Sequence, residues 1–236
     1  MNLISELKNA VYPVTHAPLI TFFGDSVTHG AFECPEGAAV DCIFDFDAVY
    51  HHQLQQMLLE VNPWLPVNIL NAGVAGDHAA AALGRLEQDV ISHRPQLCIV
   101  NFALNDVMTL SEKDYLDALR EIFTRLRAAG IAPILLTPNM LNTYVHPETA
   151  ERYRAFAAMT AQAQTEGRMT KRVNAARALA NEMQVVVADA YAVWEEMQRQ
   201  GRDVTACLSN YINHPTREMH RVFAKAIFDV LDQDIR

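Results

Sequence analysis

The sequence has little cysteine. Its 236 residues contain four cysteines, and no two of them form a CxxC pair. We therefore expect Cys34, Cys42, Cys98 and Cys207 to be buried or incidental free thiols, in a fold that needs no disulfide.

Basic stretches and long apolar runs are also missing. The net charge is -9 and no basic run exceeds two residues, which excludes the electrostatic footprint of a nucleic-acid-binding protein. No apolar run approaches the roughly 18 residues of a membrane span, and the first residues, MNLISELKNAVYPVTHAP, lack the features of a signal peptide. The sequence thus predicts a cytoplasmic protein without nucleic-acid or membrane partners, and it leaves the oligomeric state open.

Motifs for metals and phosphates are equally scarce. The nine histidines form no HxxxH pair, and no Cys/His cluster has ligand spacing. The segment GDSVTHG fits neither GxGxxG nor the P-loop. We expect no metal site and no cofactor.

What the sequence does contain is a regular alternation of apolar runs and helical patterns. Half of the residues are hydrophobic, and the short runs are apolar on both faces, as in strands of a covered parallel sheet. These strands are predicted over residues 19–23, 67–70, 97–103, 133–137 and 185–189. Helices are predicted over residues 46–60, 77–92, 111–129, 170–183 and 216–232. The alternation predicts a single α/β domain over residues 1–236, with a flavodoxin-like, five-stranded parallel sheet in a three-layer α/β/α arrangement.

Two long segments, residues 31–44 and 139–169, interrupt this alternation. Long excursions at the strand ends of a compact domain are usually functional or mobile. We expect both segments to border the substrate site. The large side chains of the second segment either form an apolar wall there or pack a helix onto the domain; they are Tyr144, Tyr153, Phe156 and Met159.

Four polar motifs fall at strand ends or just before the last predicted helix. They are GDSVTHG from residue 24, NAGVAGDH from residue 71, NFALND from residue 101 and NYINHPT from residue 210. Each is weak alone, because GDS occurs by chance and a single histidine is more often structural. In this order, and over the span from Ser26 to His214, they resemble the SGNH/GDSL family of serine esterases and acylhydrolases.

The resemblance implies an acyl-transfer site. Ser26 would be the nucleophile, lifted from the sheet by a tight turn that Asp25 holds by hydrogen bonding, and His214 would be the general base. The oxyanion hole would combine the backbone N–H groups of Ser26 and Gly76 with the side-chain amide of Asn105.

The sequence departs from the family pattern at two places. Ala103 stands where the third motif usually has glycine. The family also places an aspartate three residues before the histidine, or four when an extra asparagine precedes it, and this chain has Tyr211 and Asn210 there. Three explanations stay open: a Ser–His dyad with a neutral orienter of His214, either Asn210 or a backbone carbonyl; a distant carboxylate such as Asp203; or a weak or inactive relative.

The predicted function is that of a cofactor-free serine esterase. It would cleave carboxylic esters, with short acyl groups favoured, through an acyl-enzyme on Ser26. The substrate would be a small-molecule ester, with an acylated carbohydrate as one candidate. The alternative is a non-catalytic binding module of the same fold that keeps a pocket for a carbohydrate or acyl ligand.

Overall fold

A five-stranded sheet organises the chain, whose computed structural model describes residues 2–11, 17–37, 41–64 and 67–232. All neighbouring strands are parallel, in the order β2-β1-β3-β4-β5. The strands are β1 (Leu19–Gly24), β2 (Asn68–Gly73), β3 (Leu97–Asn101), β4 (Ala132–Leu136) and β5 (Val186–Ala188). The order reverses between β1 and β3, so a crevice opens at the carboxyl ends of these strands.

Helices cover both faces of the sheet. One face carries α1 (Leu3–Asn9), α3 (Tyr50–Val61) and α11 (His220–Val230), with α10 (Ala190–Arg199) packed on α11. The other carries α4 (Ala79–Ala82), α7 (Glu112–Ala128), α9 (Arg168–Glu182) and, outside α9, α8 (Arg154–Thr165). The short helices α2 (Ser26–His29), α5 (Leu86–Asp89) and α6 (Asp106–Thr109) complete the described set. The predicted three-layer, flavodoxin-like α/β fold is confirmed.

The central strands are apolar on both faces because both helical layers cover them. Every residue of β3 is buried, and so is every residue of β1 after Leu19.

Among the described residues, none of the helices combines the length and the apolar content that crossing a bilayer requires.

The helix predicted over residues 77–92 is wrong as a continuous element. It is divided into α4, α5 and a 3-10 turn over Ile91–His93. At the break, Arg85 turns back to the strand ends, where its guanidinium donates to the carbonyls of Ala72 (2.7 Å) and Gly24 (3.1 Å). Tertiary hydrogen bonds therefore override the helical pattern.

The sequence did not reveal α1, α8 and α10. The buried face of α8 includes Thr160 and Gln164, whose side chains bond to Asn142 and Tyr191. Because these polar residues interrupt its apolar stripe, the periodicity that identifies a helix is weak there.

A short antiparallel ribbon, residues 31–33 paired with residues 43–45, follows α2. Phe32 donates its N–H to Ile43 (2.8 Å), and Ile43 donates to Glu33 (2.7 Å). Residues 38–40 of the predicted loop 31–44 lie outside the described residues.

The ribbon brings Cys34 and Cys42 together in a disulfide, so the expectation that all four cysteines are free thiols was wrong for this pair. Their eight-residue separation carries no recognised spacing, and only the ribbon places them side by side. Cys98 and Cys207 are buried free thiols, as expected.

Candidate active site

Ser26 lies at a tight turn between the end of β1 and the start of α2. The turn is close because Gly24 lies against β3: a Cβ at this position would come within 2.6 Å of the Asn101 carbonyl oxygen. Only glycine fits there, and the chain consequently leaves the sheet at once, with Ser26 as the first residue of the helix.

Asp25 caps α2 and so holds the turn by hydrogen bonding, which is the role that the resemblance implied. Its Oδ1 accepts the Val27 N–H at 3.0 Å, and the carboxyl group is fully buried. Burial, together with the charges of Asp106 and Asp77, raises the pKa of Asp25 to about 7, against the lowering effect of the Val27 hydrogen bond. Asp25 therefore acts on the backbone of the turn.

His214 is presented by a loop that Asn210 organises. The Asn210 Oδ1 accepts the backbone N–H groups of Ile212, Asn213 and His214 at 3.0, 2.9 and 2.9 Å. Tyr211 takes a left-handed conformation at φ 58°, which turns the chain around the amide. This carbonyl oxygen is occupied by the backbone, so Asn210 shapes the loop and does not orient the imidazole.

The structure brings Ser26 and His214 together. The His214 Nε2 lies 3.1 Å from the Ser26 Oγ, and its Nδ1 lies 2.8 Å from the Phe32 carbonyl oxygen. A carbonyl can only accept, so Nδ1 carries the proton and Nε2 directs its lone pair at the hydroxyl. Both side chains are buried, Ser26 at 6% and His214 at 5% exposure.

Burial also sets the charge of the imidazole. It lowers the pKa of His214 to about 4, against the opposing effects of the Phe32 carbonyl and the Glu33 carboxylate. The imidazole is therefore neutral at pH 7 and able to accept a proton.

Asp203 does not contact His214. Its carboxylate accepts the Tyr144 hydroxyl at 2.6 Å and the backbone N–H groups of Thr205 and Ala206 at 2.9 and 3.3 Å. Of the orienters considered from the sequence, the backbone carbonyl is the one that the structure places on the ring. No motif marks a main-chain carbonyl, so its identity as Phe32 was not readable.

The Phe32 carbonyl is fixed by its surroundings. The Arg217 guanidinium lies 4.4 Å from the centre of the Phe32 ring, and its Nε donates to Asp45 at 2.7 Å. The same guanidinium binds Glu33 with two nitrogens. Arg217 thereby ties together both strands of the ribbon that carries the carbonyl.

The three predicted oxyanion donors lie at neighbouring strand ends. Gly76 is exposed in a turn after β2, at φ 79°, and Asn105 follows β3. The Asn105 Nδ2 donates to the carbonyl of Asp77 at 2.8 Å, which links these two strand ends and leaves its second N–H for another acceptor. The N–H of Ser26 opens α2, where a helix has no internal acceptor.

Ala103, in the place of the family's glycine, carries backbone strain. It is buried and has φ 155°, a value that L-residues rarely adopt. Ala103 thus adopts a φ value that is typical of glycine, although it carries a Cβ.

The segment over residues 139–169 packs against the histidine loop. Asn142 donates its backbone N–H to the Ile212 carbonyl at 2.9 Å, and His146 stacks on Tyr211 with ring centres 4.0 Å apart. Arg152 reaches the Pro35 carbonyl in the first long segment at 3.1 Å. Phe156 and Met159 are 36% and 54% exposed on α8.

The fold and these motifs define a class of hydrolase. Residues 22–222 match the model of the GDSL-like lipase/acylhydrolase family, and the chain belongs to this family. The resemblance drawn from the four motifs is confirmed, and the protein is a carboxylic ester hydrolase. No curated protein sequence matches the chain.

Solved structures show the same fold. The acetylxylan esterase Axe2 from Geobacillus stearothermophilus is similar at 21% identity and a TM-score of 0.67, over 92% of this chain and 95% of that one. LAE5, an alpha/beta hydrolase enzyme from the metagenome of Lake Arreo, Spain, is similar at 21% identity and a TM-score of 0.66, over 92% and 96% of the two chains.

Proposed function

We propose that the protein hydrolyses short-acyl esters through an acyl-enzyme on Ser26, with His214 as general base. The observation that carries the proposal is the 3.1 Å contact between the His214 Nε2 and the Ser26 Oγ, in the tautomer that the Phe32 carbonyl selects. This arrangement is a nucleophile with its base and an orienter of that base.

The reaction follows from these positions. Nε2 takes the proton of Oγ as the oxygen attacks the ester carbonyl carbon, and the N–H groups of Ser26, Gly76 and Asn105 stabilise the oxyanion that forms. When the tetrahedral intermediate collapses, the alcohol leaves with the proton from Nε2. Water then attacks the acyl-enzyme, His214 again serves as base, and Ser26 is regenerated.

We propose that the ester substrate is an acetylated carbohydrate, so that the alcohol released is a sugar hydroxyl. Axe2 is an acetylxylan esterase of the same fold. Exposed aromatic rings, Phe44 and Phe46, stack near His29 at the end of α2, three residues after Ser26, and offer apolar faces to a sugar ring.

The test is covalent labelling of Ser26. The protein is incubated with a fluorophosphonate, and the peptide that contains Ser26 is analysed by mass spectrometry. We expect one adduct on Ser26 and none in Ser26→Ala, together with hydrolysis of p-nitrophenyl acetate that Ser26→Ala lacks. No adduct between about pH 6 and 9 would favour the non-catalytic binding module.

Substrate class is tested separately. Acetate release from acetylated xylo-oligosaccharides is compared with hydrolysis of p-nitrophenyl acetate and p-nitrophenyl palmitate. The proposal expects the acetylated sugar and the acetate ester to be cleaved, and a preference for palmitate contradicts it.

A further inference from the structure

Three ligand atoms suited to a soft metal ion meet beside the candidate catalytic pair. Among the described residues, the sulfurs of Cys34 and Cys42 and a ring nitrogen of His214 lie within 4.8 Å of one another. The Cys34 Sγ is 3.9 Å from the His214 Nδ1, the nitrogen that the Phe32 carbonyl holds. In the structure the two sulfurs are joined in a disulfide.

We propose that reduction of the Cys34–Cys42 disulfide creates a binding site for a thiophilic divalent cation such as Zn²⁺, formed by both sulfurs and the His214 Nδ1, and that the bound cation switches the esterase off. The inhibitory part of the proposal rests on the proposed function. The binding part does not.

The geometry suits such an ion. Tetrahedral zinc with bonds of about 2.3 Å to sulfur and about 2.0 Å to nitrogen separates its ligand atoms by roughly 3.5 to 3.8 Å. The present spacing requires only side-chain adjustments once the sulfurs are free. Two thiolates and a neutral imidazole balance the charge of the ion, and a three-ligand site leaves a fourth position for water.

The surroundings favour thiolates and allow entry. Both cysteines are only partly buried. The Asn210 Nδ2 lies 3.9 Å from the Cys34 Sγ, where it can donate to a metal-bound sulfur. Asn210 is itself held by the backbone of the histidine loop, so this donor is in place before an ion arrives.

The chemistry balances in two steps. A dithiol reductant passes two electrons and two protons to the Cys34–Cys42 disulfide. The products are two cysteine thiols and the reductant in its oxidised form, a cyclic disulfide. The cation then displaces the two thiol protons to solvent and takes the Nδ1 lone pair, while the Nδ1 proton is exchanged to Nε2.

This change of tautomer is what stops the reaction. With a proton on Nε2, the imidazole donates to the Ser26 Oγ and can no longer accept its proton. The hydrogen bond from Nδ1 to the Phe32 carbonyl is lost at the same time. The imidazole then carries its proton on the wrong nitrogen and is no longer oriented by the carbonyl.

Cobalt provides a direct readout of binding that does not depend on turnover. The protein is reduced with dithiothreitol, desalted without oxygen and titrated with Co²⁺, and the cobalt–thiolate absorption in the near ultraviolet is followed. We expect one equivalent to bind to the reduced protein and none to the oxidised protein. Cys34→Ser and Cys42→Ser should each lose the thiolate band, and His214→Ala should bind at least tenfold more weakly.

Cys207→Ala is the matched control, because this buried thiol lies outside the three-ligand cluster, and it should bind cobalt like the unmodified protein. A thiolate band that persists in Cys34→Ser, or that forms equally in the oxidised protein, overturns the site.

Inhibition is then measured on p-nitrophenyl acetate. One equivalent of Zn²⁺ should lower the activity of the reduced protein at least tenfold, EDTA should restore it, and the oxidised protein should be unaffected. Full activity of the zinc-loaded reduced protein, or failure of EDTA to restore it, overturns the switch. A protein inactive in both redox forms contradicts the proposed esterase function and leaves the cobalt titration interpretable.

Discussion

The His214 imidazole is oriented by a main-chain carbonyl, where a serine-protease triad has an aspartate. This difference affects the tautomer of the imidazole and the charge beside it in different ways. In serine proteases, exchanging the triad aspartate for asparagine lowers kcat about 10⁴-fold because the imidazole takes the wrong tautomer. The Phe32 carbonyl, 2.8 Å from Nδ1, cannot donate and therefore keeps the reactive tautomer. What is missing is a carboxylate hydrogen-bonded to Nδ1, since the Glu33 charge favours the imidazolium without bonding to the ring.

Asn105 allows the oxyanion proposal to be tested at a single amide. We expect Asn105→Ala to lower kcat by about 10² to 10³ with little change in KM, because its N–H stabilises charge that develops only in the transition state. Steady-state kinetics with p-nitrophenyl acetate measure this effect. Asn174→Ala, an exposed asparagine on α9, is the control, and a loss below threefold in Asn105→Ala would remove the residue from the hole.

The pH–rate profile tests the buried imidazole. Burial lowers the pKa of His214 to about 4, so the base is already neutral at pH 6. For the disulfide-bonded protein in EDTA, we expect kcat/KM for a neutral ester to be level between about pH 6 and 8 and to fall below about pH 5. A half-maximal value near pH 6.5 would show an unperturbed histidine instead.

At the scale of elements, the ribbon over residues 31–33 and 43–45 does the work that a side chain does elsewhere in the family. Its backbone hydrogen bonds fix Phe32, and Arg217 joins its two strands through Glu33 and Asp45. The ribbon thus positions the imidazole of His214, the proposed base.

Removing the Arg217 guanidinium should loosen that element. We expect Arg217→Ala to lower kcat about tenfold, which corresponds to about 1.4 kcal/mol of transition-state stabilisation, with KM nearly unchanged. Arg221→Ala, an exposed arginine on α11, should retain full activity. Equal kinetics for the two variants would mean that the ribbon holds Phe32 without Arg217.

The five strands were predictable because a covered parallel sheet leaves short, mostly apolar runs such as LITFF. The helix over residues 77–92 was not, because Arg85 satisfies distant carbonyls at the break, and α8 was not, because Thr160 and Gln164 lie on its buried face. Prediction thus failed where side chains bond to distant partners.

The candidate site divides in the same way. Ser26, His214 and Asn105 stand in the motifs that carry the resemblance to the family, so the sequence indicated them. The Phe32 carbonyl and the Cys34–Cys42 pair depend on the shape of the ribbon, and no side-chain pattern records either. The cytoplasmic location, the single domain and the catalytic roles stay predictions.

For the whole molecule, buried ionisable groups couple stability to pH. Burial lowers the pKa of His51 and His214 to about 4 and of His220 to about 3, whereas it raises that of Asp25 to about 7 and of Asp106 to about 6. Near pH 5 the histidines take up protons on unfolding, because their pKa rises to about 6.5 in the unfolded chain. The two carboxyl groups release protons on unfolding, which offsets part of this uptake and leaves a net uptake of about one proton.

Stability should therefore fall as the pH drops from about 6.5 to 4, by about 1.4 kcal/mol per pH unit near pH 5. Denaturant unfolding at several pH values measures this slope. In Asp106→Asn one opposing carboxyl group is gone, while the amide oxygen can still accept the Ala79 N–H that Asp106 accepts at 2.8 Å, so the slope should roughly double. A slope unchanged by this substitution would exclude Asp106 as a buried neutral acid.

The carbonyl that orients His214 also affects how proteins of this fold are recognised from genomes. Every residue type has a main-chain carbonyl, so no codon change at position 32 removes this oxygen, although a change can displace it. Surveys that sort family members by the presence of a triad aspartate would count this gene among degenerate copies. A search of structures for a main-chain carbonyl within hydrogen-bonding distance of the imidazole would identify the products of such genes as candidate enzymes.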